Sequence, residues 1–124
     1  MISRGEVMKL LIVDDHSPMR TLIKTLVAGL ADEVYECSDG SEVLAAYSRH
    51  QPDWVLMDVE MREVDGLTAS RQLIAAFPAA RIIIVTKHDD EEMRAEARAA
   101  GACDYVLKEN LLTLRQRLQR RPER

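Results

Sequence analysis

Four apolar residues in a row, Trp54-Val55-Leu56-Met57, run straight into the carboxylate of Asp58. A run this short and this apolar reads as a strand buried on both faces, the pattern of a parallel sheet with helices on either side. An acid at the exit of such a strand needs a reason. A helix cap, a metal ligand and a nucleophile are all open at this point. Two more runs follow the same plan: Leu10-Leu11-Ile12-Val13 stops at Asp14-Asp15, and Ile82-Ile83-Ile84-Val85 stops at Thr86.

Helical patterns fill the spaces between the strands. After His16, Ser17 suits an N-cap and Pro18 the first helical position, and Met19, Leu22, Ile23, Leu26, Val27 and Leu30 share one face. Glu33-Val34-Tyr35-Glu36-Cys37 alternates, as a strand at a sheet edge does. Asp39-Gly40-Ser41-Glu42 has capping-box spacing and opens a helix with Val43, Ala46 and Tyr47 inward, ending before Pro52. A polar loop from Val59 to Asp65 leads through Gly66 into a helix that Pro78 stops. Asp89 or Asp90 caps a lightly packed helix with Met93, Ala97 and Ala100 on one side, closed by Gly101. Tyr105-Val106-Leu107 is a second edge-like strand, and Asn110 caps a last helix with Leu111, Leu114 and Leu118 inward.

Strand then helix, five times over, predicts an α/β domain with a parallel sheet and right-handed crossovers. The three most apolar strands belong inside. The simplest winding that puts them there is the order 2-1-3-4-5, a doubly wound, flavodoxin-like three-layer sandwich. The 124 residues suffice for one such domain. Residues 1–7 read as a leader, 8–120 as the domain, and 121–124 as a tail or the start of a linker.

Composition narrows the partners. The net charge is −4, yet five arginines and a single acid fall between Arg115 and Arg124, so the body is more acidic than the total. That argues against a nucleic-acid surface and makes the basic end a solvated helix terminus favoured by its dipole. No apolar run approaches a membrane span and the start lacks a signal-peptide layout, so a cytoplasmic protein without membrane contact is expected. Cys37 and Cys103 have no metal or disulfide spacing and read as reduced, mostly buried thiols. Trp54, Met19, Met57 and Met93 read as core fillers, Met61 as a loop anchor and His50 as a solvated helix end.

In the expected winding, Asp14, Asp15, Asp58, Thr86 and Lys108 all fall at the carboxyl ends of strands, where open α/β sheets bind ligands. Three carboxylates close together repel and call for a cation. An all-oxygen donor set favours Mg²⁺ or Mn²⁺ over Zn²⁺, and His16 and His88 are not spaced to supply nitrogen ligands. A hard cation beside a carboxylate suits phosphoryl chemistry, with Lys108 as a second cation and Thr86 as a hydroxyl donor. No glycine-rich phosphate loop is present to hold a nucleotide.

Ile12-Val13-Asp14-Asp15, Leu56-Met57-Asp58 with Met61 and Asp65-Gly66, Ile84-Val85-Thr86 and Tyr105-Val106-Leu107-Lys108 together resemble the receiver domain of two-component response regulators, with a CheY-like fold. The resemblance runs from about Met8 to Arg120. It implies that Asp58 accepts a phosphoryl group from a histidine kinase or a phosphotransfer protein. It implies that Asp14 and Asp15 hold Mg²⁺ together with Asp58 and the backbone carbonyl of Glu60, Asp15 being the more direct acidic ligand. Lys108 would pair with the phosphoryl group, Thr86 would move towards it, and Tyr105 would change rotamer in step. The output face would be the fourth helix, fifth strand and fifth helix, open to a downstream effector or a phosphorylation-dependent homodimer. Such a chain is a signalling switch that assists its own phosphorylation and dephosphorylation rather than an enzyme.

Arg62 and Glu109 replace prolines common in the family, which bears on loop geometry and removes no chemical group. Glu60 and His88, two residues after Asp58 and Thr86, occupy variable positions that tune the lifetime of the phosphoryl group. Asp14-Asp15-His16 and Tyr105 to Glu109 look most like receivers joined to helix-turn-helix DNA-binding domains, so a stand-alone receiver and a fragment are both open. Two other functions compete. A small Mg²⁺-dependent phosphohydrolase would use Glu60 as its second acid, where aspartate is usual. A phosphorylation-independent docking module would keep only the fold.

Overall fold

The computed structural model describes residues 7–119. The strands are β1 (Lys9–Val13), β2 (Glu33–Cys37), β3 (Trp54–Met57), β4 (Ile82–Thr86) and β5 (Asp104–Leu107). They alternate with helices α1 (Ser17–Leu26), α2 (Val43–His50), α3 (Gly66–Ala76), α4 (Glu91–Ala99) and α5 (Leu114–Gln119). One 3₁₀ turn, Gly40–Glu42, leads into α2, and another, Lys108–Thr113, leads into α5. All pairings are parallel and the sheet order is β2-β1-β3-β4-β5, the winding expected from the apolar runs. Most of the leader, residues 1–6, and the tail, 121–124, lie outside the described residues.

Alternate strand residues go to opposite faces, so each apolar run feeds two cores. Leu11, Val13, Val55, Met57, Ile82 and Ile84 face one way and pack against α2, α3 and α4. Leu10, Ile12, Trp54, Leu56, Ile83 and Val85 face the other way and pack against α1 and α5. Every residue of β3 and β4 is buried, which explains why those runs show no alternation.

Local differences from the expected elements have local causes. The residue capping α1 is His16, not Ser17; its own N–H is taken by Asp14 Oδ1 at 2.9 Å, and Ser17 enters the first turn. Ile23 within α1 and Val27 at its C-cap are buried, which turns Leu22 to the flank at 45% exposure. Asp90 rather than Asp89 caps α4, accepting from Met93 N at 2.7 Å. Asn110 caps nothing with its side chain. It sits at a kink (φ −122°, ψ 38°) inside the 3₁₀ stretch. His50 is not merely solvated, because its ring stacks on Tyr35 with centroids 3.6 Å apart. Cys37 is buried as expected, whereas Cys103 is exposed.

The polar loop after β3 is anchored at both ends. Asp65 caps α3 by accepting from Thr68 N at 2.8 Å. Gly66 lies against the backbone of Asp58, where an added Cβ would come 1.9 Å from the Asp58 carbonyl oxygen and 3.0 Å from the Met57 side chain. The loop can close on β3 only if this position has no side chain. Gly66→Ala is expected to lose about 3 kcal/mol of stability by forcing that backbone apart, as read from urea unfolding. A loss within experimental error would show the close approach to be dispensable.

Candidate functional site

Register decides what meets at the carboxyl rim of the sheet. Val13 pairs with Met57, and Asp58 N donates to Val13 O at 2.9 Å, so Asp14 and Asp58 leave neighbouring strands side by side. Thr86 pairs with Leu107, which sets Lys108 one residue beyond the end of β4. The result is a compact charged group. Lys108 Nζ lies 3.0 Å from Asp14 Oδ2 and 3.1 Å from Asp58 Oδ1. Asp14 and Asp58 are buried, and Asp15 is exposed beside them. Oxygens of the three carboxylates lie within 4.8 Å of one another. Such an all-oxygen set fits a hard divalent cation, with Asp15 facing the solvent from which the ion arrives.

The electrostatics follow from this burial. Loss of hydration, then the charge of Asp14, pushes the Asp58 carboxyl up to about 6, and Lys108 only partly offsets them. Burial works against the Lys108 ammonium as well. The hydrogen bond to Asp14 and the charges of Asp58 and Asp14 outweigh it and hold the lysine above its ordinary value.

The remaining expected residues surround this group without joining it. Thr86 is buried, and its Oγ1 accepts from His88 N at 3.3 Å. Tyr105 does not reach the carboxylates. Its hydroxyl donates to the His88 carbonyl at 2.6 Å, and its ring lies under the Arg94 guanidinium, 4.5 Å away. Glu60 and His88 face each other across the two loops, with Oε2 and Nε2 at 2.9 Å. The bond from His88 holds the Glu60 carboxyl below its usual range.

Two residues were not singled out for the site. Arg20 donates to the Asp14 carbonyl at 2.6 Å and to Glu36 at 2.7 Å, tying α1 and β2 to the end of β1. The Asp39 carboxylate accepts from Ser41 N at 2.9 Å, Glu63 N at 2.9 Å and Val64 N at 3.2 Å. These bonds depress its pKa and brace the loop that follows Asp58. Capping-box spacing accounted for Asp39 locally and so concealed its long-range work. In that box Glu42 reaches Ser38 N and Oγ instead of the Asp39 amide.

Residues 10–119 match the family described as response regulator receiver domain, so the chain belongs to that family and to two-component signalling. It is 39% identical over 102 residues to the chemotaxis protein CheY of Listeria monocytogenes, covering 82% of this chain and 86% of that protein. It is 32% identical to the transcriptional regulatory protein DegU of Brevibacillus brevis, covering 82% of this chain but only 44% of the relative. A two-component response regulator of the LuxR family from Aurantimonas sp. SI85-9A1 superposes with a TM-score of 0.82 at 30% identity, over 90% of this chain and 81% of that one. Among the described residues, no helix is long and apolar enough to cross a membrane.

The Asp58 shift has a signed consequence for stability. Its folded pKa of about 6 lies above the ordinary 3.8, so between those values the native state binds more protons than the unfolded chain. Stability therefore falls as pH rises from about 4 to about 6, and stays reduced above that. Without divalent cation, Asp58→Asn is expected to gain about 2 kcal/mol over the parent at pH 7.5, and much less near pH 4. Urea unfolding in a chelator at both pH values reads this out, and an equal gain at both would exclude the burial of charge as its source.

Proposed function

We propose that this chain is a phosphorylatable switch in which Asp58 is the acceptor. The observation that carries the reading is the buried Asp58 carboxylate, in contact with Lys108 and grouped with Asp14 and Asp15. An Asp58 oxygen attacks the phosphorus of a phosphohistidine on a sensor kinase or phosphotransfer protein. The P–N bond breaks, a P–O bond to Asp58 forms, and the histidine leaves with its electron pair. Asp14, Asp15, Asp58 and the Glu60 carbonyl would hold a divalent cation, Mg²⁺ or Mn²⁺, which would supply positive charge beside the phosphoryl oxygens. Lys108 supplies the second positive charge, and Thr86 supplies a hydroxyl to a phosphoryl oxygen.

The switch then works through bonds already in place. Thr86 Oγ1 accepts from His88 N, and Tyr105 is bonded to the carbonyl of the same residue, so a shift of Thr86 towards the phosphoryl group would disturb both contacts of His88. Movement at Thr86 thus bears on Tyr105 and on the face formed by α4, β5 and α5, where a downstream protein, an effector domain or a second copy of the chain binds. Glu60 and His88 flank the approach of water and set the lifetime of the acyl phosphate.

The reading keeps residues 8–120 as the receiver unit and 121–124 as a tail or linker. It keeps a cytoplasmic location, no direct nucleic-acid or membrane contact, and a switch rather than a turnover enzyme. The Glu60 carboxylate is engaged with His88, a contact that favours the switch over the phosphohydrolase alternative.

Acetyl phosphate with Mg²⁺, followed by intact mass, should give one acid-stable, base-labile phosphoryl adduct, absent from Asp58→Asn. No adduct on the parent would leave a docking module as the better reading, and turnover of unrelated phosphomonoesters would favour the hydrolase. Lys108→Ala should still bind Mg²⁺, because the carboxylates lose a competing cation, while the response of the output face to acetyl phosphate disappears. Mg²⁺ at about a hundred times its dissociation constant should stabilise parent and Lys108→Ala alike by about 2.7 kcal/mol. Abolished metal binding in that variant would overturn the division of roles.

A further inference from the structure

The pocket between α4, β5 and α5 gathers positive charge that nothing in the switch chemistry uses. It encloses about 280 Å³ and is lined by Arg94, Arg98 and Arg117, with Cys103, Asp104 and Tyr105. Three guanidiniums therefore meet one lining carboxylate, on a chain whose net charge is −4. Arg117 pairs with Asp104, and Arg94 pairs with Asp89 at 2.9 Å. Among the described residues, no carboxylate lies within ion-pair distance of Arg98. Arg94 and Arg98 stand four apart on α4, one turn along the same face, where like charges weaken a helix by a few tenths of a kcal/mol. The dipole rewards Arg98 in the last turn but gives Arg94, nearer the start, no such return. Across the same helix the charges are sorted the other way, for Glu96 lines a separate pocket with Glu60 and Asp65 beside α3.

We propose that this pocket docks an acidic peptide segment of a partner protein, with two carboxylates taken by Arg98 and Arg94. The inference rests on the reading of α4, β5 and α5 as the output face and names the chemistry of what that face receives. Guanidinium forks suit carboxylates because each offers two parallel N–H donors. Two forks one turn apart, about 5.4 Å along the helix, match a pair of carboxylate side chains on one peptide. Asp89, Asp90, Glu91 and Glu92 crowd the start of α4, and the chain as a whole carries a net charge of −4. That acidic surround repels the long phosphate lattice of a nucleic acid and favours a short acidic motif that reaches only the arginines. Arg94 also rests on Tyr105, whose hydroxyl holds the His88 carbonyl, so one jaw of the pocket is in contact with the residue nearest the switch.

Cys103 is an exposed residue of the pocket lining, with its Sγ 3.5 Å from the Ile82 carbonyl, while Cys37 is buried, so alkylation of the folded full chain reports on this place. The probes are a short labelled peptide with two adjacent glutamates between leucines, and its two-glutamine counterpart. The glutamate peptide should bind by fluorescence anisotropy and slow maleimide modification of Cys103, and the glutamine peptide should do neither. Arg98→Ala should weaken binding by about tenfold, the cost of losing a charge-assisted hydrogen-bond pair. Arg98→Glu should transfer the preference to a two-lysine peptide. Salt at about 0.5 M should weaken the parent complex, since exposed ion pairs are screened. Equal binding of both peptides, equal protection of Cys103 by sulfate, or unchanged binding by Arg98→Ala would each overturn the proposal. Adduct formation at Asp58, measured on the same samples, separates the two readings. An adduct without peptide binding sinks the pocket and leaves the switch, whereas peptide binding without an adduct leaves the pocket and sinks the switch.

Discussion

One ammonium group sits between two buried carboxylates, and the carboxyl end of this sheet depends on it. At separations near 4 Å and an effective dielectric of about 20, a charge pair is worth about 4 kcal/mol, so the Lys108 ammonium, in contact with both acids, offsets much of their mutual repulsion. The lysine directly follows β5, and β4 lies between that strand and β3, which leads into Asp58. Its contact with both acids uses a long flexible stem, and the intervening strand ends in the short side chain of Thr86. The same balance leaves the Asp58 carboxyl raised, a group short of positive charge at neutral pH. A site in that condition favours any added cation that it can coordinate.

The backbone around this charged group is held by close packing and hydrogen bonds. Gly66 allows the loop after β3 to close against the Asp58 carbonyl, and Asp39 holds the far side of that loop through the amides of Glu63 and Val64. Arg20 secures the end of β1 from the opposite side of the sheet. On the other flank, His88 alone bonds to three neighbours: Thr86 through its amide, Tyr105 through its carbonyl and Glu60 through its ring. Asp58 is thus closely held, while the contacts running towards the α4–β5–α5 face pass through His88 in a half-exposed loop.

Much of the architecture was legible in the linear chain because burial leaves a plain mark. Unbroken apolar runs identified β3 and β4 as inner strands, and alternation in Glu33–Cys37 identified β2 as an edge. The polar residues ending those strands were conspicuous by contrast, and the motifs they form are specific enough to name the family. Legibility stopped where one side chain serves two places. Asp39 satisfied a local capping pattern and hid its bonds to residues 24 and 25 positions away. His50 and Tyr35, distant in sequence, stack only because α2 returns beside β2. Cys103 looked buried by residue type, yet the turn into β5 leaves it exposed.

By itself the sequence determined the strand pattern, the winding and the set Asp14, Asp15, Asp58, Thr86 and Lys108, since hydrophobic periodicity and polar strand ends are local properties of the chain. Only the tertiary structure decided which of those groups touch: that Lys108 bridges Asp14 and Asp58, that Glu60 faces His88, and that Arg94, Arg98 and Arg117 enclose one pocket. The reason is reach. Periodicity states which face a residue occupies, but an ion pair also needs the register between strands and the path of the loops, which are settled only when every element is packed against its neighbours.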